Sequence, residues 1–163
     1  MKYFLLYEPD DAVQIYAHYS DSNDFNLAQS PEVFAGKVVE GEEDHFDDAG
    51  DQLKSYGIGL FYNALYVPVD KASIIRDKLV ESGVEFYTAQ VVTAQNEYTA
   101  FRSFNLFDES NPKPMCRVLR RDHPHLMEAD DYFSEEFLDF LSEHFDVQDF
   151  YRISLPETKD KDA

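Results

Sequence analysis

Basic residues are scarce in this chain, and so are cysteine, glycine and long apolar runs. Lys and Arg number 14 against 33 Asp and Glu, a formal net charge of −19 over 163 residues. A surface so negative repels nucleic acid and anionic membranes and draws in basic partners. Nucleic-acid binding needs a basic footprint. The single concentrated one, Arg117-Val-Leu-Arg120-Arg121, is expected to pair with its own acidic neighbours. One cysteine, Cys116, excludes an intramolecular disulfide and any zinc site built on several thiolates. Among only six glycines there is no G-x-G-x-x-G, no G-x-x-x-x-G-K-[ST] and no G-x-S-x-G, so neither a nucleotide cofactor nor a serine nucleophile elbow is expected. No segment approaches the ~20 apolar residues of a membrane helix. The opening apolar run, Tyr3 to Tyr7, is shorter than the about 7–15 residues of a secretory core. The cytoplasm is expected, or a context in which another chain carries the address.

Aromatic residues, by contrast, make up 15% of the sequence, all Tyr and Phe, which argues for a folded chain despite the charge. A chain of this length buries roughly 70% of its unfolded surface and needs no disulfide or structural metal. The expectation is one α+β domain over residues 1–155, with a mixed or antiparallel sheet and about two main helices, followed by a charged, frayed tail over 156–163. Strands are predicted at Tyr3–Tyr7, Val13–Tyr19, Glu32–Val39 (interrupted by Gly36), Ala64–Val69, Val84–Val92, Tyr98–Phe107 and Asp149–Leu155. A helix capped by Asp70 should bury Ala72, Ile75, Leu79 and Val80 and stop at Ser82-Gly83. A second should run over Ser134–Phe145, with Phe133, Phe137, Phe140, Leu141 and Phe145 at helical spacing. The passages Leu65–Val91 and Leu126–Leu155 then read alike, as two β-α-β-like units in which acidic residues precede the helix.

The stretch Glu40–Asp51, EGEEDHFDDAGD, carries seven carboxylates in twelve residues. It is not a calcium loop, because every register fails at an obligatory position. A start at Asp44 puts Phe46 at position 3, a start at Glu42 puts Phe46 at position 5, and a start at Asp47 puts Ala49 at position 3. Such polarity signals exposure, so no acid–base dyad is singled out. Asp122-His123-Pro124-His125 is the one candidate transition-metal motif. It supports an alternative reading as a metal-dependent hydrolase using His123 and His125, although two histidines without a third ligand define no zinc site. Cys116 reads as a small apolar thiol on a buried strand. A further alternative is a non-enzymatic adaptor whose acidic surface serves solubility alone. Phe46 discriminates between the readings of the acidic stretch. It is expected to tuck under its own loop into the core, as isolated apolar loop residues commonly do; exposed among the carboxylates, it would mark a binding surface.

The opening KYFLL, the passage LYVPVDKASIIRDKLVESGVEFYTAQV, the strand EYTAFRSFNLF and the closing HPHLMEADDYFSEEFLDFLSEHFDVQDFYRI resemble bacterial immunity proteins of polymorphic-toxin and contact-dependent or type VI secretion systems. The resemblance covers about two thirds of the chain and rests on hydrophobic patterns. Asp70 stands where the pattern has Ser, and Asp146-Val147-Gln148 where it often has Gly. It implies a module that binds one cognate toxin and blocks it without catalysis, cofactor or metal. The acidic stretch supplies the candidate contact residues, Glu40, Glu42, Glu43, Asp44, Phe46, Asp47, Asp48 and Asp51, facing a toxin with a basic surface. No nucleic-acid or membrane partner is expected.

Overall fold

A computed structural model describes residues 2–18, 35–119 and 129–155. His123 and His125, Arg120 and Arg121, Tyr19 and the tail 156–163 lie outside the described residues.

The fold is α+β. The first strand, β1 (Tyr3–Tyr7), falls where the opening apolar run predicts it. The first helix forms where Ile75 and Leu79 recur at helical spacing, and both are fully buried. It starts differently from the expectation. A single 3-10 turn, Val69–Lys71, follows β5 (Ala64–Pro68), and α1 (Ala72–Glu81) begins at Lys71 with no side-chain cap. Asp70 is spent inside the turn, and Val80 faces solvent at 64% exposure. At the other end Gly83 adopts φ +71°. The Gly83 N–H donates to the Val80 carbonyl and the Val84 N–H to that of Leu79, a Schellman stop. The second helix, α2 (Glu135–His144), has the stronger cap: Ser134 Oγ accepts from the Phe137 N–H at 3.2 Å. Asp130 and Asp131 are therefore not cap residues. They belong to β9 (Ala129–Ser134).

Each helix joins two strands that flank a third. β5 and β6 (Phe86–Val92) both run antiparallel to β7 (Glu97–Ser103), which lies between them. Likewise β9 and β10 (Tyr151–Ser154) both run antiparallel to the interposed β1. The two β-α-β-like passages are thus two split units of the same topology, one per sheet. The six-stranded sheet has the order β2-β3-β6-β7-β5-β4, with β2 at Gln14–Ala17, β3 at Val38–Asp44 and β4 at Gly59–Phe61. The four-stranded sheet is ordered β10-β1-β9-β8, with β8 at Met115–Leu119.

Leu65, Val67 and Phe101 from one sheet and Leu6, Met115 and Phe133 from the other pack with Ile75, Leu79, Phe137, Leu138 and Leu141 in one core. Burying each large side chain contributes about 1.5–3 kcal/mol. Both faces of β7 are covered, and Thr99 to Ser103 are all buried. Ala100 lies with Ala64, Tyr66, Ala89 and Val91 in a second cluster on the opposite face of the six-stranded sheet. Cys116 is buried in β8, and burial pushes its thiol up to about 12, so it is an inert thiol. No helix among the described residues is long and apolar enough to cross a membrane.

Candidate functional site

The first half of the acidic stretch is strand, not loop. Gly36 turns the chain with φ +72°, and β3 then runs on through Asp44. Its outer edge, β2, pairs with it from Ala17↔Gly41 to Gln14↔Asp44. Glu40, Glu42 and Asp44 point outward and are exposed, with half-exposed Tyr16 opposite Glu42. Gly41 is the only residue that fits its place, because an added Cβ would lie 2.8 Å from the Tyr16 carbonyl oxygen.

Beyond Asp44 the chain makes a small hairpin, bridged at Phe46↔Gln52. Asp47 organises it: its Oδ1 accepts from the Ala49 N–H at 2.9 Å and the Asp51 N–H at 2.8 Å. The Asp47 N–H donates to the Asp51 carbonyl, and Gly50 supplies the φ of +85° that closes the turn. Asp48 and Asp51 are exposed at the tip. Phe46 does not tuck into the core. It is 56% exposed at the base of the hairpin, because the Phe46–Gln52 bridge fixes its position above the solvated turn.

Glu43 departs from its neighbours. It shares the inward face with Val39 and Gly41, and its side chain is only 1% exposed. Pairing between β3 and β6 ends at Glu40↔Val92, so β3 outruns its neighbour and lays Glu43 over the β6–β7 turn. There Glu43 Oε1 accepts from Thr93 Oγ1 at 3.0 Å, Asn96 Nδ2 at 3.1 Å and the Tyr98 hydroxyl. Its Oε2 lies 3.0 Å from His45 Nε2. Burial raises the pKa of this carboxyl, but the Tyr98, Asn96 and Thr93 hydrogen bonds and His45 outweigh it and hold the group below the usual range. Glu43 is therefore an interior anion and not part of the exposed acidic surface, and the expectation that no carboxylate of this stretch is buried fails.

Glu43 forms one wall of a cleft of about 190 Å³ whose other walls include Glu8, His45, Tyr56, Tyr66 and Tyr98. Glu8 follows β1, and its Oε1 accepts from the Leu60 N–H at 2.8 Å. Burial pushes the Glu8 carboxyl up to about 7, with the Leu60 amide opposing. Two carboxyls in one cleft are thus driven in opposite directions, a pattern that clusters at functional sites. Tyr56 donates to Asp11 Oδ1 at 2.6 Å, which pushes its phenol up to about 12. The Tyr66 and Tyr98 rings meet edge to face at 5.0 Å. Tyr66 lies so close over Gly59 that an added Cβ would sit 2.6 Å from its ring.

Sequence reasoning found the acidic stretch but not its hairpin, and it missed Glu8, Tyr66, Tyr98, Thr93 and Asn96. The usable signal was parity: once VVEGEED is read as a strand, Val39, Gly41 and Glu43 fall on one face. No cluster of three or more His, Cys, Asp or Glu suited to a metal occurs among the described residues. What the geometry defines is an α+β scaffold that presents a preformed acidic hairpin beside a carboxylate-lined cleft. No protein-family model, curated protein or solved structure matches the chain.

Proposed function

We propose that this chain is a cytoplasmic binding module of the immunity-protein kind, which occludes a basic protein toxin stoichiometrically and without turnover. The observation that carries this reading is Phe46, 56% exposed among carboxylates. An apolar ring in that setting has no role in solubility and suits an anchor into a partner pocket. The hairpin beneath it is already ordered by Asp47 and Gly50, so little conformational freedom remains to be lost on binding. Around it Glu40, Glu42, Asp44, Asp48 and Asp51 supply the potential that steers a basic partner. Tyr16 extends the same surface.

The test is calorimetric titration against the product of a multidomain toxin gene encoded beside this one, with co-expression rescue as the cellular readout. Phe46→Ala and the triple change Glu42→Lys, Asp48→Lys, Asp51→Lys should each weaken the complex at least ~tenfold. The triple variant should also flatten its salt dependence. Glu43 and Asp47 are left out of that set because both hold the fold. Unchanged affinity in both variants would remove the hairpin from the interface.

A further inference from the structure

The cleft beside the hairpin contains two polar groups that the fold does not satisfy. Glu43 is saturated by Thr93, Asn96, Tyr98 and His45. Glu8 is not: it is half-buried, Oε1 accepts from Leu60, and the other oxygen has no hydrogen-bond partner among the described residues. Tyr66 is the second. It is 6% exposed, lines the cleft, and its hydroxyl has no partner among the described residues. The hydroxyl opens onto the cleft, and Phe at this position would keep the same packing over Gly59. The hydroxyl is raised by burial and by the charges of Glu8, Tyr98 and Glu43, so it sits within the field of both carboxylates.

The surroundings favour a cation as the missing ligand. Three rings, Tyr56, Tyr66 and Tyr98, line the cleft with the two carboxyls, and ring faces attract cations. The rim already shows this, because Lys54 Nζ rests 4.5 Å from the centre of the Tyr56 ring. Asp146 Oδ2, at 3.4 Å, holds that ammonium at the rim. Inside, Glu8 forms no ion pair among the described residues, and His45 is held by Glu43. Two separate acceptors, one carboxylate oxygen and one hydroxyl, suit a planar donor fork better than a compact ammonium. A volume of about 190 Å³ has room for one side-chain head.

We propose that this cleft receives one guanidinium group, the head of an arginine side chain of the toxin, with Glu8 and Tyr66 as its acceptors. The source of the arginine rests on the proposed function; the chemistry of the cleft does not. Phe46 and the cleft would then form two halves of one recognition surface, an anchor given and an anchor taken.

Methylguanidinium chloride, titrated by NMR against matched sodium chloride, separates the two claims. The wild-type protein should show a saturable shift of the Leu60 amide, and Glu8→Gln and Tyr66→Phe should each weaken it at least ~tenfold. Both variants keep the shape of the residue they replace, and unchanged spectra away from the cleft confirm the fold. The same two variants should weaken the toxin complex at least ~tenfold. No saturable methylguanidinium shift in the wild type, or equal shifts in all three proteins, overturns the cleft as a guanidinium site. Probe binding that needs Glu8 and Tyr66, alongside toxin affinity unchanged in both variants, overturns the assignment to the toxin's arginine. Probe binding without any toxin complex upholds the cleft and defeats the proposed function instead.

Discussion

Arg102 Nε lies 2.9 Å from Asp131 Oδ2, and both side chains are sealed from solvent. The pair joins β7 of one sheet to β9 of the other. The same carboxylate oxygen accepts from the Ser103 N–H at 3.2 Å, and the Arg102 guanidinium reaches the Tyr62 carbonyl at 3.4 Å. Next to it, Asn63 Nδ2 donates to Asp130 Oδ1 at 3.1 Å. Tyr62 and Asn63 have φ of 47° and 68°, the left-handed pair that turns β4 into β5. One ionic contact therefore ties a hairpin turn and both sheets together.

Removing one partner leaves the other as an uncompensated buried charge. Arg102→Met should destabilise the fold by about 3–5 kcal/mol, read from urea unfolding midpoints. Adding Asp131→Leu to that variant should restore part of the loss, because the carboxylate stranded by the first change is gone, while Arg117, buried opposite Asp131, keeps the recovery partial.

Glu8 should make stability fall as pH rises. Its folded pKa of about 7 lies above the ordinary 4.5, so between those values the folded state holds a proton that the unfolded chain has released. The cost is complete above about pH 7 and absent well below 4.5. Glu8→Gln should therefore be more stable than wild type at pH 8, on the order of 1–3 kcal/mol, and equal to it at pH 4. Thermal melts across that range measure the crossover.

Glu43 has the opposite sign. Its folded pKa is depressed, so its contribution is present above the unfolded value and disappears as pH falls through the folded one. Glu43→Gln should cost about 1.5–3 kcal/mol at neutral pH. The gap to wild type should shrink on acidification, and parallel melting curves at all pH values would contradict this.

Gly59 is held by contact and not by backbone strain. Gly59→Ala places a Cβ 2.6 Å from the Tyr66 ring, which the β4–β5 pairing leaves little room to relieve. A loss of about 1–3 kcal/mol is expected, with displaced Tyr66 ring resonances as the second readout.

Asp47→Ala should loosen the acidic hairpin while leaving the core intact. The variant loses the acceptor for the Ala49 and Asp51 amides, so hydrogen exchange at those two positions should accelerate, with global stability falling by no more than about 1–2 kcal/mol.

Periodicity made the helices and most strands legible, because burial of Ile75 and Leu79 or of Phe137 and Leu141 dictates the pattern directly. It failed where polar residues go inside. Asp130 and Asp131 resemble helix-capping residues in the sequence, yet both lie in β9, and Asp131 is buried because Arg102 waits opposite. Glu43 is lost among six other carboxylates until its strand parity is known. Phe46 misled for a related reason: its position is set by hydrogen bonds of the Asp47 turn, not by its own apolarity. Glu8 carries no local signal at all, since the cleft it completes is assembled from five separate stretches of chain.

The interposed strands also set an order of assembly. Every pairing of the six-stranded sheet closes within residues 14–103, so a chain emerging from its N-terminus can complete that sheet early. β1 pairs only with β9 and β10, which come last. β1 must stay unpaired until β9 has been made, more than a hundred residues later, and such long-range closure is slow. Until then its apolar edge is open to other chains, and a truncation before Tyr151 would leave it with β9 alone.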